Sequence, residues 1–229
     1  MGDAERRFTR GLVEVRADDE QGGGRRIGGY AAKFNRLSQN LGGFVERIDP
    51  GFFAKSEGDG WPDVMARYNH DDNRLLGTSE AGTLRLAVDG TGLDYVVDVP
   101  ASREDVMELV QRGDVRRSSF AFRTFSDDWA QTEDGFPLRT LLSGALVDVA
   151  PVNSPAYMDT STGLRSLADK AGADLDEVRA AATAGDLARF LDRPKNSTTI
   201  DLAPGGQGDT HPPLALRQRR AELMRRRTF

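Results

Sequence analysis

Residues 115–125 read VRRSSFAFRTF and residues 145–152 read ALVDVAPV. Both are rich in the branched and aromatic side chains that suit a pleated, half-buried surface, and 137–143 is a third apolar run between them. Alternation along the first puts Ser119, Ala121 and Arg123 on one face and Phe120 and Phe122 on the other. The aromatics can then anchor the strand while the hydroxyl faces a cleft. The second run holds one acid, Asp148, among apolar neighbours. A carboxylate there is costly to bury unless it is hydrogen-bonded or paired, which makes its position informative.

Upstream the chain is also β-rich. Residues 10–16 and 27–34 read as a hairpin around Gly22–Gly24, and 63–68, 83–88 and 92–99 as further strands, the last two joined by the turn pair Asp89-Gly90. Ser102 with Asp105 resembles a capping box. Val106, Leu109 and Val110 then share a helical face until Gly113, which predicts a helix over 103–112. No strand–helix alternation is sustained, which argues against a doubly wound parallel sheet. The expected class is α+β, a mixed, mostly antiparallel β-barrel flanked by a few helices. One domain is expected over 1–160, followed by a linker over 161–172, an Ala-rich helix over 173–193, a Pro/Gly-rich linker over 194–213 and a basic amphipathic tail over 214–229.

Composition removes whole classes of chemistry. With no cysteine, the chain has no disulfide, thiolate zinc site, iron–sulfur cluster or cysteine nucleophile. Two histidines, His70 and His211, leave no room for a His-rich metal site, and no cofactor is implied. No window approaches the roughly 20 apolar residues of a membrane span, so no membrane partner is expected. The last sixteen residues carry six arginines against Glu222 alone. The net charge of −5 therefore joins a basic tail to a strongly acidic body, which argues for a tail with its own partner and against a nucleic-acid-binding core.

Three side chains could carry chemistry. His70 follows a strand and opens the polar turn His70-Asp71-Asp72-Asn73, where an imidazole can take up and return a proton. Its plain alternative is a solvent-exposed turn histidine. Ser119 needs a base to become a nucleophile, and His70 is the base on offer; the alternative is an ordinary strand serine. Asp148 could orient the imidazole, or could face outward on an edge strand. No Gly-x-Ser-x-Gly elbow is present.

In order along the chain, further segments join these three: Gly29-Tyr30-Ala31-Ala32-Lys33-Phe34-Asn35, Gly42-Gly43-Phe44-Val45-Glu46-Arg47-Ile48, Pro50-Gly51-Phe52-Phe53, Asn69-His70-Asp71 with Leu76-Gly77, Gly82-Thr83-Leu84-Arg85-Leu86, Gly113-Asp114-Val115, Ser118-Ser119-Phe120-Ala121-Phe122, and Val147-Asp148-Val149-Ala150-Pro151-Val152 with Pro155-Ala156-Tyr157. Over roughly 10–160 this set resembles the tailed-phage prohead maturation serine proteases, distant relatives of the herpesvirus assemblins. The resemblance implies an assemblin-like barrel and a serine endopeptidase with Ser119 as nucleophile, His70 as base and an acid at 148 as third member. It also implies scaffold, or the scaffolding segment of the major capsid protein, as substrate together with the protease itself, and action inside the assembling prohead in the host bacterial cytoplasm. Self-association is left open. This chain has Ser118 where family members usually carry a small residue or Met, so Ser118 is the alternative nucleophile, and Asp148 where they commonly carry Glu. Other readings are a catalytically silent capsid or scaffold component of the same fold, and a small-ester hydrolase. The basic tail is expected to help package the protease, with self-cleavage between about 160 and 213 removing it.

Overall fold

A computed structural model describes residues 4–16, 25–153 and 161–191; the expected linker at 194–213 and basic tail at 214–229, with His211, lie outside the described residues. In chain order the strands are β1 (Glu5–Leu12), β2 (Glu14–Arg16), β3 (Arg26–Lys33), β4 (Val45–Ile48), β5 (Met65–Arg67), β6 (Leu75–Thr78), β7 (Leu84–Val88), β8 (Gly92–Asp98), β9 (Arg117–Gln131) and β10 (Pro137–Val152). The helices are α1 (Ala54–Gly58), α2 (Glu104–Arg112), α3 (Ser161–Ala171) and α4 (Leu175–Ala184).

The runs that hold Ser119 and Asp148 form the two longest strands, β9 and β10, and they pair antiparallel along most of their length. The runs 137–143 and 145–152 are one strand, continuous through register shifts between Leu141 and Gly144. β10 is long enough to take two partners on its other edge: β4 lies parallel to Leu138–Leu141, and β5 parallel to Asp148 and Val149. The larger sheet runs β1-β9-β10-β5-β6 with β4 also on β10, and the smaller β2-β3-β8-β7. Most pairings are antiparallel, as expected, but the barrel is not. Among the described residues the strands make two sheets that do not close on each other. β1 and β6 end the larger sheet as edges.

The main core joins the two sheets. Ile27, Leu93, Tyr95 and Val97 of the smaller sheet meet Phe120, Phe122, Leu146 and Val149 of the larger, with Phe52 and Phe53 between them. Phe52 stands edge-on to both Phe53 and Phe122, at centroid distances of 4.9 and 5.4 Å. The Asp89-Gly90 hairpin forms as expected, and α2 spans Glu104–Arg112 with Gly113 left-handed at its end (φ 80°). Its start differs: Arg103, not Ser102, is the N-cap residue, and it makes no side-chain capping bond.

Within the expected linker over 161–172, Ser161–Ala171 form helix α3, whose Leu164, Leu167 and Ala168 bury one face against a second core. That core gathers Leu41, Phe44 and Trp129 from the sheet side and Val178, Ala181, Leu187 and Phe190 from the segment after α3. The Ala-rich segment is the shorter helix α4, capped by the Asp174 carboxylate and ended by Gly185 (φ 73°), then a 3-10 turn over Leu187–Phe190.

Candidate active site

Three adjacent strands converge on Ser119, His70 and Asp148. β10 lies between β9, which carries Ser119, and β5, whose C-terminal end runs directly into the turn carrying His70. In register, Asp148 faces Ala121 of β9 on one side and Met65 of β5 on the other. The middle strand thus supplies the carboxylate, one neighbour the serine, and the turn that follows the other neighbour the imidazole.

The side chains connect in series. His70 Nδ1 is 2.6 Å from Asp148 Oδ1, and His70 Nε2 is 2.6 Å from Ser119 Oγ. All three are buried, at 7 % exposure for His70, 1 % for Asp148 and 0 % for Ser119. Asp148 is thus neither outward-facing nor on an edge. With Nδ1–H donated to the carboxylate, the imidazole presents its Nε2 lone pair to the hydroxyl, the tautomer that proton abstraction needs.

Backbone strain aims the imidazole. Asn69 and His70 both adopt left-handed φ values of 55° and 57°, a sparsely populated region for residues with a Cβ. The turn is pinned where it departs, because the Asn69 side-chain oxygen accepts from the amide of Asn153, just past the end of β10. The strand that carries Asp148 therefore also fixes the turn that carries His70.

Ser118 points elsewhere. Its hydroxyl lies 3.3 Å from the Tyr95 hydroxyl of the other sheet, and burial holds that phenol well above its ordinary range, so it stays protonated. Of the two candidate serines, Ser119 is the one that His70 reaches.

Arg67 was missing from the sequence reading. Its Nη1 donates to Asp148 Oδ2 at 3.0 Å and lies 3.1 Å from Asp72 Oδ1, so both oxygens of Asp148 are engaged, one by imidazole and one by guanidinium. The available signal was an arginine inside the short strand 63–68, three residues before the acid-rich turn that opens at His70, in a chain whose buried Asp148 needed a cation.

A second buried polar cluster lies beside the site and ties down β1. Arg139 contacts Glu5 (Nη1–Oε2 2.6 Å), Glu46 (Nη1–Oε2 3.0 Å) and Asp127 (Nε–Oδ2 2.6 Å), while Arg7 contacts Glu46 (Nε–Oε1 2.8 Å) and Glu5 (Nη2–Oε2 2.8 Å). Burial alone would lower the pKa of Arg139, but Glu5, then Glu46 and Asp127, more than offset it and hold the guanidinium above its ordinary value. Among the described residues, no cluster of three or more His, Asp or Glu side chains could hold a metal ion, and no helix is long and apolar enough to cross a membrane.

No curated protein and no solved structure matches the chain significantly. A family model does, and its match over residues 12–172 takes in all three members of the Ser119–His70–Asp148 series. By that match the chain belongs to the caudovirus prohead serine protease family.

Proposed function

We propose that the protein is the serine endopeptidase of prohead maturation, with Ser119 as nucleophile, His70 as general base and acid, and Asp148 as the group that orients His70. One observation carries this reading: the unbroken Oγ···Nε2 and Nδ1···Oδ1 series of two 2.6 Å contacts in a buried site. Ser119 Oγ attacks the carbonyl carbon of a peptide bond as its proton passes to His70 Nε2. The imidazolium is stabilised by Asp148, which remains ionised, and returns the proton to the leaving amine. Water then repeats the sequence on the acyl-enzyme, again with His70 as base. Arg67 acts on the reaction only through Asp148, as a positioning residue.

Family membership supports scaffold, or the scaffolding segment of the major capsid protein, as substrate in the assembling capsid of the infected cell. It also supports the protease itself as a substrate, and the basic composition of 214–229 after a Pro/Gly-rich segment supports the tail as the segment lost.

Co-expression with the cognate capsid and scaffold proteins tests the reading. Wild-type protein processes them, whereas Ser119→Ala and His70→Ala each lose on the order of 10⁴-fold in rate. Ser118→Ala retains processing, because its hydroxyl contacts Tyr95 and not His70. Capsid protein left intact by wild type would favour a silent assembly component, and processing that survives Ser119→Ala but not Ser118→Ala would move the nucleophile by one residue.

A further inference from the structure

Ser119 is fully buried, and β1 contributes to its cover. β1 is the edge strand of the larger sheet and lies antiparallel on β9, with Phe8 opposite Ser119. In this register the Ser119 hydroxyl donates to the main-chain carbonyl of Arg7 at 2.8 Å, while His70 Nε2 lies 2.6 Å from the same hydroxyl oxygen. A hydroxyl has one proton to give. While the Arg7 carbonyl holds it, His70 is not receiving it, and a substrate carbonyl has no room at Oγ. A strand laid along the nucleophile-bearing strand, with a main-chain carbonyl against the nucleophile, occupies the place an extended peptide takes when it adds to a sheet edge.

The side chains of β1 indicate what such a peptide looks like. Arg7 extends over the ring of Phe122, 5.6 Å from its centroid, and seats its guanidinium on buried Glu46 through two contacts of 2.8 and 3.0 Å. Glu5, two residues earlier, accepts from Arg139 at 2.6 and 3.1 Å. Glu5 and Arg7 cancel in charge. With β1 lifted away, Glu46, Asp127 and Arg139 are left with one negative charge in excess, in a cluster that is buried and so favours the return of a cation.

Resting on the reading of Ser119 as nucleophile, we propose that the β9 edge over residues 117–122 is the substrate groove and that β1 is its resident occupant, holding the enzyme latent. The groove selects an extended peptide with a basic side chain on the residue whose carbonyl meets Ser119, and an acidic side chain two residues before it. Activation is the departure of β1, and Glu46 is the residue that reads the basic side chain.

The full-length chain, which has no cysteine of its own, permits a direct test. Arg6 and Ala121 are opposite each other in the β1–β9 register, so Arg6→Cys with Ala121→Cys gives a single disulfide that fastens β1 to β9. Arg7→Glu instead sets a third carboxylate against Glu5 and Glu46 and drives β1 off. A small fluorophosphonate probe, followed by intact mass, reads the access of Ser119 in each form. The oxidised double-cysteine protein should label at least ~10-fold more slowly than its reduced form, and Arg7→Glu at least ~10-fold faster than wild type, because reactivity scales with the open fraction. Mapping the bonds that Arg7→Glu cuts in a peptide library should show cleavage after Arg or Lys. Equal labelling of the oxidised and reduced forms, or a folded Arg7→Glu no faster than wild type, overturns β1 as occupant. Cleavage after acidic or apolar residues overturns the assigned selectivity. If Arg7→Glu fails to melt cooperatively, the disulfide pair alone decides. Absence of labelling in every form, with Arg7→Glu folded, sinks the assignment of Ser119 as nucleophile instead.

Discussion

Replacing Asp148 with asparagine preserves shape and removes charge, and the contacts on its two oxygens determine which way the new amide turns. Oδ1 lies 2.6 Å from His70 Nδ1 and Oδ2 accepts from Arg67 Nη1 at 3.0 Å, so an asparagine must turn its NH₂ toward one of two groups that both donate in wild type. Arginine is always protonated and cannot become an acceptor. The amide oxygen therefore stays on Arg67 and the NH₂ faces Nδ1, which must give up its proton to accept. The imidazole is then held with its proton on Nε2, facing Ser119, in the tautomer that cannot act as base. A wrongly held tautomer lowers kcat by about 10⁴-fold in other serine proteases, equivalent to about 5 kcal/mol of barrier. The same reasoning predicts a rescue. Removing Arg67 as well frees the amide to flip and present its oxygen to Nδ1–H, so Arg67→Ala with Asp148→Asn should recover about tenfold or more over Asp148→Asn alone, a coupling that a double-mutant cycle reads directly. The assay is the single-turnover rate of a peptide substrate, with Arg67→Ala alone completing the cycle. Asp148→Asn within tenfold of wild type would refute the orienting role, and a double variant no faster than Asp148→Asn would refute the part assigned to Arg67.

Two further predictions concern stability. Burial alone would raise the Glu5 carboxyl, but hydrogen bonds and charge from Arg139, then the charge of Arg7, outweigh it and hold the group below its ordinary 4.5. A carboxyl depressed by folding contributes its full stabilisation above the unfolded value and loses it as pH falls through the folded one. Amide exchange of β1, corrected for its intrinsic pH dependence, should therefore accelerate as pH drops below 4.5, and Glu5→Gln should flatten that response. Gly144→Ala places a Cβ 2.3 Å from the Phe52 ring and 2.6 Å from the Arg123 carbonyl; denaturant unfolding should show a loss of about 1–3 kcal/mol, typical of overpacking.

The parts of the site that were legible in the sequence depend on local order. Ser119 and the aromatics of its strand follow period-2 alternation, His70 follows a strand into a polar turn, and Asp148 is conspicuous as an acid in an apolar run. Such patterns survive whatever the strands later pair with. Strand order is different. Parallel placement of β4 and β5 along one edge of β10 is decided by packing between residues up to 93 positions apart, and neither strand carries a local mark of its partner. The barrel expectation failed for that reason. Alternation specifies a buried face for each strand but not whether the outermost strands meet. The packing of α3 was not legible for the same reason, since its apolar face finds its partners in Leu41, Phe44 and Trp129, far upstream.

β1 shows the same limit where it bears on function. Residues 5–9, ERRFT, hold three charges in a row and no alternating apolar face, so the reading from sequence began its first strand at residue 10. Two of these charges, Glu5 and Arg7, are buried in the fold because Glu46, Asp127 and Arg139 lie opposite them, a complement distributed over elements that sequence does not bring together. A buried ion cluster is a poor source of net stability compared with apolar packing, but losing one partner is costly. Beyond its ladder on β9, the side-chain hold on such a strand is conditional, because protonation of Glu5, or a peptide that supplies the same charges, weakens its match to the cluster. Apolar packing of β1 on β9 would have stabilised the fold more and would have left Ser119 covered with no comparable means of release.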